Sequence, residues 1–453
     1  MKNTKHGEKP KRQHKEIKQL QIVHLSDLHF GSSHNFNPDL DPNGKPLSQD
    51  GVKKFDDILL DDVDHLSTDY ATMFALTGDF TTKHEEAGFE RAGLFMNRLA
   101  KSKLVEGGAL LKNVFVVPGN HDIDFEKTDQ VEKWYRFKKF YNGVFKESTA
   151  DSPLDFVKLV NRADLGYCVL TLNSEMYVSK DADDKYRGRL GDEQLEIVAD
   201  LLAKNKSDLK KSICVALIHH HPVLIPDLVE ANRNYDAVIG AGRLLTQLNK
   251  YGFHTILHGH KHWPCTFSVD NRNGYDTAYS RPMLVVSGGS VGSSELPKHS
   301  DDRNVYNRIR IKWNSDSDEI RICIETRALN RLDENRQPLP TRSKWHWSTI
   351  RTDDRIFYRH DRVPPLQEVN YHPQNNLSVP RDAGRKKQYE RMRLNMPVVE
   401  VRPSLESDQK YEAVFWLVGH SSIDGKDYRN PKDIPKRVTW SAGNNFQEIT
   451  ILR

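Results

Sequence analysis

The sequence predicts an α/β domain over roughly its first three hundred residues. Two observations carry this. Short apolar, β-prone runs alternate with segments of helical spacing. Several of those runs also end abruptly in Asp, Asn or His, at the strand ends where α/β sheets build their sites. The stretch Asn113–Asp122, N-V-F-V-V-P-G-N-H-D, shows both at once: a buried strand breaks at Pro118-Gly119 and presents Asn120, His121 and Asp122 together.

Taken in order, Leu20–Leu25 reads as the first strand, followed by Ser26-Asp27-Leu28-His29. Residues 31–51, rich in Ser, Asn, Pro, Asp and Gly, read as a long loop, a spacer or a lid. Val52–Leu66 has helical spacing, with Phe55, Ile58, Leu59 and Val63 on one face. Thr72–Thr77 is the second strand and ends in Gly78-Asp79; Glu85–Lys101 is an amphipathic helix striped by Phe89, Ala92, Met96 and Leu99. After the third strand, Asn113–Val117, a helix over Asp129–Phe145 packs through Trp134, Phe137 and Phe140 or Tyr141. Tyr167–Leu172 is a strand running into Asn173-Ser174-Glu175. Within Gly188–Leu202 a turn leads to a helix with Leu195, Val198 and Leu202 inward and Asp192 as its expected N-cap.

Ile213–Ile218 is a buried strand that ends in His219-His220-His221-Pro222. Helix Ala241–Lys250 stops near Gly252, and strand Phe253–Leu257 ends in His258-Gly259-His260-Lys261-His262. Met283–Ser287 ends in Gly288-Gly289-Ser290, where a plain turn is the simpler reading. Val305–Trp313 and Glu319–Thr326 form a hairpin. The expected organisation is a basic tail over 1–19, a domain over 20–331, an Arg/Pro-rich linker or wrapping segment over 332–395, and a small β-rich module over 396–453. Strand edges near Gln447–Arg453 would give that module a way to hold a protein partner.

Composition narrows the class. The chain has 453 residues, 29% charged and 37% hydrophobic, with no apolar run near the roughly 20 residues that span a bilayer, so no membrane role is expected. The Lys-rich N-terminus has no apolar core of a secretory signal. Four scattered cysteines argue against disulfides and a thiolate zinc site, and point to the cytoplasm. A net charge of +4 allows an anionic substrate without demanding one. Cys168 and Cys214 read as small buried apolar residues, His24 as core, and His84 as a surface residue at a helix start.

Singly the polar clusters are weak, since D-x-H or G-D is commonly an ordinary turn. Their ordered set is specific: D-x-H at Asp27, G-D at Asp79, G-N-H-D at Asn120, H-H-P before Pro222 and G-H-x-H at His260, each after an apolar strand. Over Gln21–Leu329 this set resembles the calcineurin-like metallophosphoesterase superfamily. The segments H-L-S-D-L-H-F-G, L-N-S at Leu172–Ser174 and G-R-L-G-D-E-Q-L at Gly188–Leu195 resemble its bacterial branch of class III cyclic-nucleotide phosphodiesterases.

The resemblance implies a four-layer αββα sandwich. It also implies one metal on Asp27, His29 and His262, a second on Asn120, His220 and His260 with His219 as the alternative to His220, and Asp79 bridging both. His121 would face the scissile phosphate; Asp122 would either orient the His121 ring or cap its loop. Mixed nitrogen and oxygen ligands suit two divalent ions, Mn, Fe, Zn or Co. The expected reaction is hydrolysis of phosphodiesters, cyclic nucleotides among them, by a hydroxide generated between the ions. The rivals are a phosphomonoesterase, a nuclease using the Arg381–Arg393 stretch and Tyr389 to follow and stack nucleic acid, and a scaffold acting through the C-terminal module.

Overall fold

Side-chain alternation along the strands sets the layers. The computed structural model describes residues 17–35, 55–105, 108, 110–146, 150–179, 187–225, 237–270, 282–297, 303–314, 319–331 and 344–358, and four strands beyond them. The first half runs β1 (Ile17–Leu25), α1 (Phe55–Val63), β2 (Ala71–Thr77), α2 (Glu86–Leu99), α3 (Leu110–Asn113), β3 (Val114–Val117) and α4 (Gln130–Val144). There follow β4 (Lys158–Arg162), β5 (Tyr167–Thr171), α5 (Asp192–Lys204), α6 (Lys206–Leu209), β6 (Ile213–Leu217), α7 (Ala241–Lys250), β7 (Thr255–His258), β8 (Thr266–Asp270) and β9 (Pro282–Ser287). Three long strands return: β10 (Val305–Asn314), β11 (Glu319–Asn330) and β12 (His346–Tyr358).

They form two six-stranded sheets, in the orders β12-β11-β10-β1-β2-β3 and β4-β5-β6-β7-β9-β8. Strands β1, β2 and β3 are parallel to one another, and so are β5, β6, β7 and β9. Odd and even positions then divide between cores. Ile22, Met73, Ala75, Phe115 and Val117 of the first sheet share one core with Tyr167, Val169, Val215, Leu217 and Leu257 of the second. Their neighbours Val23, Phe74, Leu76 and Val116 turn the other way and pack with α1, α2 and α4 through Phe55, Met96, Trp134 and Phe137. On the far side, Cys168, Leu170, Cys214 and Ala216 meet Leu195, Val198, Leu244 and Leu248 of α5 and α7. Three cores between helix, sheet, sheet and helix make a four-layer αββα sandwich.

The expected helices and central strands are present, and four details differ. Strands β4 and β8 were not foreseen; both pair antiparallel at an edge of the second sheet. Asp192 is the first residue of α5 rather than its N-cap, which is Gly191; its carboxylate lies in the first turn, where the helix dipole favours it. β1 begins at Ile17, inside the expected tail.

The last difference moves a boundary. Residues 332–395 are not all linker, because β12 pairs with β11 along its whole length and buries Trp347. The compact unit accordingly runs Met1–Pro364, and a second comprises Pro365–Arg453. In the second unit, Asn395–Pro403 (β13) pairs with Tyr411–Gly419 (β14), and Arg437–Trp440 (β15) with Ile449–Leu452 (β16), both antiparallel. Residues 1–16 of the expected tail, residues 36–51 of the loop expected over 31–51, and Arg381–Arg393 with Tyr389 lie outside the described residues.

Candidate metal centre

Parallel strands all deliver their carboxyl ends to one edge, and the turns there are strained. Among the described residues six non-glycines have positive φ, and five of them are Asp27 (53°), His29 (49°), Asp79 (54°), His260 (77°) and His262 (53°). Each costs of order 1–3 kcal/mol, a cost that persists only where surrounding bonds over-determine it. They do here: Asp27 N donates to Gly78 O (3.1 Å), His29 N to Asp79 O (2.9 Å) and Ser290 Oγ to Asp27 O (2.8 Å). Two glycines let the turns touch. A Cβ on Gly119 would sit 2.2 Å from Asp79 Oδ1, and one on Gly259 would sit 1.8 Å from Ser26 Oγ.

The first group is Asp27, His29 and His262. Asp27 Oδ1 lies 3.2 Å from His262 Nε2 and 3.8 Å from His29 Nε2, and the two Nε2 atoms are 3.0 Å apart. His262 Nδ1 donates to Glu295 O at 2.6 Å. In the neutral ring Nε2 therefore carries a lone pair, aimed at a carboxylate oxygen. Two facing acceptors need a proton or a cation between them.

The second group is built likewise. His219 Nδ1 donates to Thr77 O (2.7 Å), and its Nε2 lies 3.3 Å from Asp79 Oδ2 and 3.1 Å from Asn120 Oδ1. His260 Nδ1 is also 3.1 Å from Asn120 Oδ1. Asp79 Oδ2 is 3.6 Å from His29 Nε2, so this carboxylate touches both groups, while its Oδ1 accepts His121 N at 2.8 Å. Asp27, Asp79 and His219 offer atoms that all lie within 4.8 Å of one another, and so do Asp27, His29 and His262. These oxygen and nitrogen donors, all buried except the half-buried His262, fit divalent cations.

The electrostatics agree. Burial alone would raise the Asp27 carboxyl, yet His262 and His29 hold it well below the usual range; His219 and His121 do the same for Asp79. Burial opposes charge on His219 and His262, but the facing aspartates push both imidazoles up. His29 and His260 go down, chiefly through burial. The negative field that retains a proton on His219 or His262 would equally retain a metal ion.

At two positions the sequence left alternatives, and the geometry distinguishes them. Of the triple histidine, His219 reaches Asp79 and Asn120, whereas the His220 ring turns to Glu175. A signal was present: Ile213, Val215 and Leu217 face the opposite sheet, and His219 continues that parity. Asp122 does not orient His121. It accepts Thr81 N (3.0 Å) and Gly119 N (2.9 Å), capping its own loop, and the His121 ring donates from Nδ1 to Thr82 O. Burial and the nearby Asp79 raise the Asp122 carboxyl well above its ordinary value.

His121 is half-buried, with its ring centroid 5.0 Å from that of His29. His24 is core, bonded to Thr77 Oγ1, and His84 stands before α2, 3.6 Å from Asp124. None of the four cysteines forms a disulfide, and Cys168 and Cys214 are buried. The reading from sequence gave no role to Glu175 or Gln194. Gln194 pairs reciprocally with the Asn173 backbone (2.9 and 2.8 Å), and Arg189 N donates to Ser174 O (2.9 Å), so the L-N-S and G-R-L-G-D-E-Q-L segments interlock.

Solved structures similar to this chain include three at low identity. Phosphopantetheinyl hydrolase (PptH) from Mycobacterium tuberculosis is 13% identical, covering 60% of this chain and 90% of its own, with a TM-score of 0.32. Vps29 from Chaetomium thermophilum is 11% identical, covering 75% and 97%, with a TM-score of 0.29. The sulfate thiohydrolase SoxB from Termus thermophilus, in complex with glycerol, is 13% identical, covering 68% and 56%, with a TM-score of 0.34. No curated protein sequence matches the chain. The profile of the family described as calcineurin-like phosphoesterase matches residues 20–264, more than half of the chain and the span that carries every residue of both groups. The chain belongs to the calcineurin-like phosphoesterase family.

Proposed function

We propose that this protein hydrolyses phosphodiesters at a dimetal centre, with cyclic nucleotides as the substrate class. The observation that carries it is the pair of facing acceptors, Asp27 with His262 and Asp79 with His219, each imidazole pinned by a backbone carbonyl. In this reading Asp27, His29 and His262 hold one ion, and Asn120, His219 and His260 the other. Asp79 touches both. When bound, two divalent ions supply Lewis acidity to a phosphate and activate water at neutral pH.

The protein's own groups do the rest. His121 gives Nδ1–H to Thr82 O, which orients the ring and leaves Nε2 as the atom that, in the imidazolium form, would pass a proton to the departing oxygen. Its half-buried ring, beside His29, has access to a substrate. Fixing His121 N on Asp79 Oδ1 keeps the proton donor in register with the proposed bridging carboxylate. Preference for cyclic diesters is supported by the class III resemblance, two of whose three segments interlock beside His220. Four cysteines without a disulfide support a reducing compartment such as the cytoplasm. The strands of the second unit serve as an accessory module with edges for a protein partner.

The test is a hydrolysis panel on metal-supplemented protein: bis-p-nitrophenyl phosphate, p-nitrophenyl phosphate, cyclic nucleotides, and single- and double-stranded nucleic acid. Diester and cyclic-nucleotide cleavage, insensitive to salt, is the expected result. Cleavage confined to the monoester, or to nucleic acid with a steep loss at high salt, would replace this reading.

A further inference from the structure

The proposed ligand set uses His219 and leaves its neighbour, an imidazole with no exposed surface, unaccounted for. His220 Nδ1 donates to Glu175 Oε1 at 2.8 Å. Ser174 Oγ donates to the same oxygen at 2.6 Å and accepts the His220 backbone N–H at 3.3 Å. Ser174, Glu175 and His220 are all completely buried. Glu175 Oε2 and His220 Nε2 have no hydrogen-bond partner among the described residues. A buried carboxylate with one oxygen left without a protein partner is costly, and a purely packing role would not need it.

The arrangement has a direction. With Nδ1–H committed to Glu175, the ring's tautomer and orientation are fixed. Gly188 makes room for it, since a Cβ there would sit 2.5 Å from His220 Nδ1. The His220 ring lies 4.2 Å, centroid to centroid, from the His260 ring. His260 Nδ1 in turn lies 3.1 Å from Asn120 Oδ1. A chain of contacts therefore runs from Glu175 through His220 to a proposed ligand of the second ion.

We propose that Glu175 and His220 are positioning residues for the second metal: Glu175 locks the His220 ring, and that ring holds His260 against Asn120. The inference rests on the dimetal reading above. It makes the second ion, and not the first, sensitive to a carboxylate that touches neither group of ligands.

The experiment is calorimetric titration of Mn2+ into the metal-stripped full-length protein, with thermal unfolding run in parallel. The wild type is expected to take up two ions. Glu175→Leu should weaken one of the two by about 10–100-fold and leave the other unchanged. Glu175→Gln keeps an oxygen for the His220 N–H and should recover most of the loss. Ser174→Ala removes only the bridging hydroxyl and should give a smaller loss at the same ion, which keeps the test decisive if the leucine variant does not fold. Both ions binding unchanged in Glu175→Leu or Ser174→Ala would overturn the inference. So would equal weakening of both, or a Gln variant no better than Leu. Fewer than two ions on the wild type would instead bring down the dimetal reading, and the inference with it.

Discussion

His219 and His220 stand side by side in sequence and point to different neighbours, one to Asp79 and the other to Glu175. Motif spacing cannot separate them, because three identical residues follow the strand; strand parity can, since His219 keeps the direction of Leu217. The other residues of the two groups were legible because each is a polar residue following an apolar strand. Asp122 was ambiguous from sequence for a physical reason: a carboxylate after a tight turn caps backbone N–H groups as readily as it orients an imidazole. Here it caps. His121→Asn should lower kcat by about 10²–10⁴-fold while metal stoichiometry, measured by elemental analysis, stays unchanged. The pH dependence has a definite sign. His219 and His262 hold protons to higher pH than ordinary histidines. A metal must expel those protons, so its apparent affinity should rise as pH increases from about 6 through the raised imidazole range. Titrations at a series of pH values would show this; affinity flat with pH would contradict it.

At the scale of elements, the helices and central strands were readable because burial on both faces, or on one stripe, forces a regular apolar period. Edge strands escaped for the opposite reason. In β12 most side chains are exposed, Arg351, Asp354 and Arg355 among them, and Trp347 is its buried anchor. Its polar sequence imitates a linker. The neighbouring helix α1 is tied to this region by Asp62, which receives Arg327 Nε at 3.0 Å and also contacts Tyr306 Oη. The Asp62 and Arg327 side chains are only 12% and 11% exposed. Asp62→Ala should therefore cost about 2–3 kcal/mol in urea unfolding, because it strands a largely buried guanidinium. A loss below about 0.5 kcal/mol would mark the pair as an ordinary surface bridge.

For the whole molecule, the placement of β12 in the first sheet changes where the chain can be cut. A fragment ending at Pro364 retains both sheets and should keep metal binding and a cooperative thermal transition. A fragment ending at Arg331 loses β12, uncovers the β11 edge and removes Trp347 from its core. It should unfold at lower temperature and aggregate more readily, as bare strand edges do. Equal thermal stability of the two fragments would show that β12 contributes nothing to the fold.

The two sheets bring five strand ends to one place, where Asp79 lies between His29 and His219. The most direct test is the metal-dependent hydrolysis of bis-p-nitrophenyl phosphate by the wild type and by Asp79→Asn, side by side. The substitution keeps the shape and removes the bridging charge, so kcat/KM should fall by at least about 100-fold, equivalent to about 2.7 kcal/mol of transition-state stabilisation. Undiminished activity in Asp79→Asn would contradict the site.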